Sequence, residues 1–308
     1  MAWKRLIRFV DDNNVENFGD PCINSADELY EQLEAGTLYA VRYTGSTKPT
    51  GPLTEVIGDR THVKSLLDLL RPEDVPIVRC IGLNYIKHIK EGGRTPPPYP
   101  SVFIKPSTSV AGHEEDVPIP KIAQDGTLDY EGELAVVIGD RPIKDLSDDV
   151  SDEEVLSYVA GYMVSNDVSA RGWQRDPKKA GGVPQWCFSK GFDKFAPLGA
   201  MLVAGATLPA VEGVSDTDVA AASQLTLQTF VNGEERQNTS TSDLLFGVIP
   251  ILRFCSQGTT FLPGTVILTG TPSGVAMGMK EPRYLNDGDM VEVRISELGR
   301  IRNKMVHE

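Results

Sequence analysis

Asp129-Tyr-Glu-Gly-Glu-Leu-Ala-Val-Val-Ile-Gly139 is the stretch from which the rest of the chain is read. Its second half, Leu134 to Gly139, is a short apolar run with β-branched residues, the composition of a buried strand. Residues two apart on a strand share a face, so Glu131 and Glu133 project side by side across Gly132. Two such charges repel, and one of them keeps its proton unless a cation intervenes. A hard divalent ion removes the conflict, and carboxylate oxygens are what Mg²⁺, Mn²⁺ and Ca²⁺ prefer. The competing reading is a solvated pair at a sheet edge, and the pair taken alone favours it.

Moving outward, Val159 to Met163 is a second strand-like run, followed by Val164-Ser-Asn-Asp-Val-Ser-Ala-Arg171. Asp167 lies just past the strand, where sites on sheets are commonly built. A third carboxylate near Glu131 and Glu133 completes a facial set of oxygen ligands and leaves positions for water and substrate. Arg171 follows four residues later, a spacing that puts both on one side if a helix begins here. An aspartate N-cap with a helical Asp167–Arg171 ion pair is the rival reading.

Around this centre the chain is strand-rich, with Gly and Pro punctuation. Val75 to Leu83 and Thr265 to Gly270 read as strands, and Leu225 to Val231 ends at the hairpin signal Asn232-Gly233. Val291 to Ile295 follows the turn residues Asn286, Asp287 and Gly288. Helices are fewer. Ser25 to Leu33 and Val63 to Leu70, the latter closed by Pro72, read as short helices. Asp152 to Tyr158 is a third, with a capping box from Ser151 and Glu154. Asp243 to Phe254 is a fourth, with Pro250 as a kink or break. The class is α+β, mainly β, and the change of character near Val75 divides the chain into a small N-terminal domain (1–72) and a larger one (73–308).

Composition narrows the function. With 43 acidic and 30 basic residues the net charge is −13, so a phosphate backbone is repelled and nucleic acid is not an expected partner. A small anionic substrate stays compatible, because local cations and a metal dominate a cleft. The four cysteines show no CxxC spacing, which points away from structural zinc and towards reduced thiols. No run of about 18 apolar residues marks a membrane span, and no signal peptide is evident, so cytoplasm is the expected compartment, with mitochondria left open.

Seven ordered blocks carry a resemblance from about Val75 to Asn303. They are Gly82-Leu-Asn-Tyr-Ile-Lys-His88 with Glu91, Phe103-Ile-Lys-Pro-Ser107, Asp129-Tyr-Glu-Gly-Glu133, Asn166-Asp-Val-Ser-Ala-Arg171, Ser189-Lys190 before Phe192-Asp193, Asn232-Gly233 with Gln237, and Gly270-Thr-Pro-Ser-Gly274. In these the chain resembles the fumarylacetoacetate hydrolase family. The resemblance implies a mixed β-sandwich roll with short helices, a variable N-terminal segment and a homodimer. It implies Mg²⁺ on Glu131, Glu133 and Asp167, with Mn²⁺ or Ca²⁺ as substitutes. It implies that His88 and Glu91 activate a water, and that Lys190 and Thr271 stabilise an enolate. It further implies that Arg171, Gln174 and Thr271 bind substrate oxygens. The residues themselves also allow a surface His–Glu pair, a solvated lysine and a plain Thr-Pro-Ser-Gly turn. The Gly- and Pro-rich stretch Glu91 to Pro100 suits a hinged lid.

The expected reaction is hydrolysis of a C–C bond in a small 2-oxo or 1,3-dioxo acid, of the acylpyruvate or fumarylacetoacetate type. Decarboxylation or tautomerisation of an oxaloacetate-type acid uses the same enolate and the same residues. A non-catalytic metal-binding scaffold is the alternative from another class.

Overall fold

Leu134 to Ile138 are buried without exception, so the strand they form is covered on both faces. This is the pattern that a near-continuous apolar run dictates. Leu134, Val136 and Ile138 join one hydrophobic core, while Ala135 and Val137 join another on the opposite face.

The computed structural model describes residues 3–208 and 224–308. Its strands are β1 (Arg5–Val10), β2 (Glu16–Pro21), β3 (Tyr39–Gly45), β4 (Leu53–His62), β5 (Ser65–Leu67), β6 (Val78–Gly82), β7 (Ser101–Lys105), β8 (Val110–Ala111), β9 (Val117–Ile119) and β10 (Leu128–Asp129). They continue as β11 (Gly132–Ile138), β12 (Val159–Asn166), β13 (Ser169–Ala170), β14 (Ala196–Pro197), β15 (Met201–Val203), β16 (Thr226–Val231), β17 (Glu234–Ser240), β18 (Val266–Leu268), β19 (Met290–Ile295) and β20 (Gly299–His307). The helices are short: α1 (Asp27–Glu34), α2 (Ile86–Glu91), α3 (Asp152–Leu156), α4 (Arg171–Arg175), α5 (Pro177–Ala180), α6 (Trp186–Lys190) and α7 (Val248–Cys255). The mainly β class read from the sequence is the class observed.

The strands make a sandwich. An 11-stranded sheet runs β4-β3-β2-β1-β15-β12-β11-β18-β6-β7, with β5 also paired to β1. A five-stranded sheet, β17-β16-β19-β20-β9, lies against β11 and β12. Inward residues of both sheets, among them Val136, Val164, Leu227, Val293 and Ile301, fill the layer between them. β1 pairs with β15 through Arg5↔Val203, so the N-terminal strands extend the large sheet. The β16–β17 hairpin turns at Asn232-Gly233, both at positive φ, as that dipeptide predicts.

Two helix expectations are corrected. Val63 to Leu70 is not a helix: Ser65–Leu67 is strand β5, captured by the open edge of β1 with Phe9 opposite Leu66. Its apolar spacing suits a short helix or a short strand, and the waiting backbone edge decides. Asp243 to Phe254 is not one kinked helix either. Thr241–Asp243 is an isolated 3-10 turn, and α7 begins at Val248. Pro250 therefore sits in the first turn, where a missing N–H costs nothing, and it does not break the helix.

All four cysteines are free. Among the described residues no helix is long and apolar enough to cross a membrane.

Candidate active site

The antiparallel pairing of β11 with β12 sets Gly132 opposite Asn166. Asp167, one step beyond the strand, therefore arrives beside Glu131, and its N–H donates to the Glu131 carbonyl at 2.8 Å. Gly132 is required here, because a Cβ would fall 2.2 Å from Thr229 Oγ1. Glu131, Glu133 and Asp167 each present a carboxylate oxygen, and these lie within 4.8 Å of one another. The three residues are 7%, 1% and 0% exposed, which rules out a solvated pair at a sheet edge.

Buried cations answer these charges. Lys190, at the end of α6, donates to Glu131 Oε2 (2.7 Å), Asp167 Oδ2 (2.5 Å) and Ser169 Oγ (2.6 Å). Arg171 opens α4 and donates to Glu131 Oε1 (2.5 Å), Asp129 Oδ2 (2.9 Å) and Gln174 Oε1 (3.0 Å). The helical Asp167–Arg171 pair is thus corrected. Asp167 precedes β13 and is outside any helix, so Arg171 turns back to the acids of 129 and 131. Nor is Lys190 a solvated lysine, since it is 2% exposed.

The three acids do not share their environment equally. Burial pushes Glu131 up, but the Lys190 and Arg171 charges outweigh it and hold the carboxyl well below the usual range. Glu133 has no cation of its own. Burial, then the negative charges of Asp167 and Glu131, push it well above the usual carboxylate range, against an N–H from Gly270 at 2.7 Å. This is the conflict expected of the bare sequence pair, now located on one residue. An all-carboxylate donor set with one acid short of positive charge fits a hard divalent cation.

The sign of a pH effect follows. The metal-free fold holds the Glu133 proton more tightly than the unfolded chain does. The metal-free protein therefore loses stability as pH rises above the ordinary glutamate range towards the raised one. A bound cation needs the carboxylate and removes that loss, releasing the proton. Melts with Mn²⁺ and with chelator are expected to differ more at pH 8 than at pH 5, and calorimetry in buffers of different ionisation enthalpy is expected to register proton release.

The cleft above the acids is lined by Glu131, Glu133, Lys190, Arg171, Gln174, Thr271 and His88, with Arg175 and apolar residues beside them. All but two of the expected site residues thus face one space. Asp167 is sealed beneath its floor, and Glu91 stands behind His88, with its carboxylate 3.2 Å from His88 Nδ1 and close to Gly278. Both belong to α2, one turn apart as expected. Thr271 is held on two sides. Its hydroxyl donates to the Gly132 carbonyl (3.0 Å) and accepts from Gln237 Nε2 (2.8 Å), so the side chain braces β11.

Some functional contacts were not apparent from sequence. Asp129 accepts from Arg171 and from the N–H groups of Ala276 (2.8 Å) and Met277 (3.1 Å), tying the acid cluster to the segment beside Glu91. Gln237 Oε1 accepts from the Gly132 N–H at 2.9 Å. Lys105 is fully buried under the site and donates to Asp167 Oδ1 at 2.6 Å and to the Phe195 carbonyl. A signal for it exists: on β7 Phe103 and Lys105 point inward while Val102 and Ile104 are exposed, so the lysine takes the buried parity of its strand. Lys105→Met is expected to cost about 3 kcal/mol, near the low end for a broken buried pair, because Asp167 loses one of its two buried lysines and keeps Lys190. Urea unfolding of the metal-free protein measures it, and a change under about 1 kcal/mol contradicts the pairing.

Comparison with known proteins agrees with this geometry. Residues 77–306 match the model of the fumarylacetoacetate (FAA) hydrolase C-terminal family. A caffeoylpyruvate hydrolase of Neonothopanus nambi is 34% identical over 312 residues, covering 100% of this chain and 94% of its own. The human mitochondrial oxaloacetate tautomerase FAHD2A is 35% identical over 295 residues, covering 95% and 83%. A crystal structure of 2-hydroxyhepta-2,4-diene-1,7-dioate isomerase from Mycobacterium marinum superposes with a TM-score of 0.71 at 30% identity, covering 99% of each chain. With a family match across most of its length, a shared fold and the acid cluster in the cleft, this chain belongs to the fumarylacetoacetate hydrolase family.

Proposed function

We propose that this protein hydrolyses the C–C bond of a small 2,4-dioxo acid of the acylpyruvate type. The observation that carries the reading is that His88, backed by Glu91, faces the same cleft as Glu131, Glu133 and Lys190. Glu131, Glu133 and Asp167 would hold Mg²⁺, or Mn²⁺ or Ca²⁺ in its place, which when bound supplies Lewis-acid polarisation of a carbonyl oxygen.

The chain's own groups do the rest. Glu91 accepts the Nδ1 proton of His88, which fixes the tautomer and leaves Nε2 as the base. His88 takes a proton from water, and the water oxygen adds to the C4 carbonyl carbon. The C3–C4 bond then breaks, with its electron pair passing to C3 and spreading into the 2-oxo group as an enolate. Lys190 places a fixed positive charge beside the acids where that negative charge develops. Arg171 and Gln174 orient the carboxylate end of the substrate. Thr271 acts by holding the strand that carries the acids. Protonation of C3 gives a pyruvate-type 2-oxo acid, and the acyl part leaves as a carboxylic acid.

The likeness to an oxaloacetate tautomerase supports a second reading on the same residues. There, a proton moves between C3 and the 2-oxo oxygen, and no water is consumed. Reaction in ¹⁸O-labelled water separates the two. Hydrolysis puts one label into the acyl carboxylate and releases pyruvate. Keto–enol exchange of oxaloacetate without any such cleavage supports the tautomerase, and loss of carbon dioxide a decarboxylase. Metal binding with no reaction on any substrate points to a scaffold. In this reading the enzyme is a homodimer acting on a small anion in the cytoplasm or mitochondria.

A further inference from the structure

Seven of the residues lining the cleft are the acids, cations, amide, hydroxyl and imidazole already placed around the reacting end of the substrate. The remaining wall is of another character. It consists of Ile81, Gly82, Leu83, Phe103, Trp186 and Met277, with Arg175 as the charge on that side among the described residues. Two aromatic rings dominate it. Phe103 and Trp186 meet edge to face, with centroids 5.3 Å apart and planes at 80°. Lys190 Nζ lies 5.1 Å from the Phe103 ring centroid, so this wall begins where the reacting end stops.

Trp186 has a seat made for it. A Cβ on Gly82 would lie 2.1 Å from Trp186 Cζ3 and 2.6 Å from Cη2. Gly82 is not among the positive-φ residues, so the missing side chain serves space and not backbone conformation. The six-membered ring of the indole rests directly on the end of β6. A rigid aromatic wall of this kind favours a flat, polarisable group over a short aliphatic or a second carboxylate. A guanidinium at the rim is consistent with this, since it stacks on π systems.

Resting on the hydrolase reading above, we propose that Trp186, seated on Gly82, is a specificity-determining residue, and that the acyl arm of the substrate is planar and conjugated, an arylacyl or enoyl group. The test compares kcat/KM for cinnamoylpyruvate, acetylpyruvate and succinylpyruvate, using the full chain with Mn²⁺. Wild type is expected to prefer cinnamoylpyruvate by about tenfold or more. The preference shrinks in Trp186→Phe, and approaches unity in Trp186→Ala and in Gly82→Ala, which unseats the indole; the change appears in KM more than in kcat. No preference in wild type, a preference for succinylpyruvate, or a preference untouched in Trp186→Phe and Gly82→Ala overturns the proposal. If no 2,4-dioxo acid is hydrolysed, the hydrolase reading fails by itself, and the arm site is judged by calorimetric titration with cinnamoylpyruvate. Binding about tenfold weaker in Trp186→Phe then supports it, and equal affinity overturns it.

Discussion

Glu131→Ala is expected to abolish metal binding and turnover together. Glu131 is at once one of three candidate ligands and the shared partner of the two buried cations nearest the cleft. Its removal leaves two carboxylates for the ion, and affinity is expected to fall at least ~100-fold. It also leaves Arg171 on Asp129 and Gln174, and Lys190 on Asp167 and Ser169. Each cation keeps a carboxylate, so the loss of stability is expected near the low end of the range for a broken buried pair, about 3 kcal/mol. Glu131→Gln keeps the shape without the charge and separates the two effects. It is expected to fold nearly as well as wild type and still bind metal poorly. Manganese titration, urea unfolding and turnover on the same samples read all three quantities. A Glu131→Ala protein that turns over with chelator present contradicts the scheme outright.

His88→Ala is expected to lower kcat for hydrolysis by about 10²–10⁴-fold, the usual worth of a placed general base. Metal affinity is expected to be unchanged, because His88 faces the cleft from α2 and touches none of the three acids in any hydrogen bond described. Glu91→Gln is expected to have the smaller effect, since the imidazole remains and only its orientation and basicity suffer. The same variants distinguish the reactions. Tautomerisation needs no attacking water, so His88→Ala is expected to damage oxaloacetate exchange much less than acylpyruvate cleavage. Equal losses in both would assign His88 to proton transfer at C3 and favour the tautomerase.

The acids were legible in the sequence because strand parity is a strict rule. Leu134 to Ile138 declared the strand, and Glu131 and Glu133 then had to share a face. Asp167 was legible for the same reason, as the first residue beyond another strand. Arg171 illustrates the limit. Its four-residue spacing from Asp167 matched a helix, but the chain makes a two-residue strand first, and the acids it pairs with lie 40 and 42 positions away. Long-range pairing of this kind leaves no local pattern. Lys105 left one, an inward parity shared with Phe103, which a reader sees only after knowing which face of β7 is buried. The helix expected at Val63 to Leu70 failed because its fate depends on an edge of β1 some sixty residues earlier. The seat of Trp186 on Gly82 is equally non-local, at 104 residues apart, and neither residue announces the other.

The most direct measurement is to strip the protein with chelator and assay it on acylpyruvates, fumarylpyruvate, fumarylacetoacetate and oxaloacetate, with and without Mg²⁺ or Mn²⁺. Cleavage of an acylpyruvate that is lost on stripping and restored by the ion is expected. Full activity in the stripped protein, or tight metal binding with no turnover of any of these acids, would contradict the proposal that Glu131, Glu133 and Asp167 form the centre of a metal-dependent C–C hydrolase.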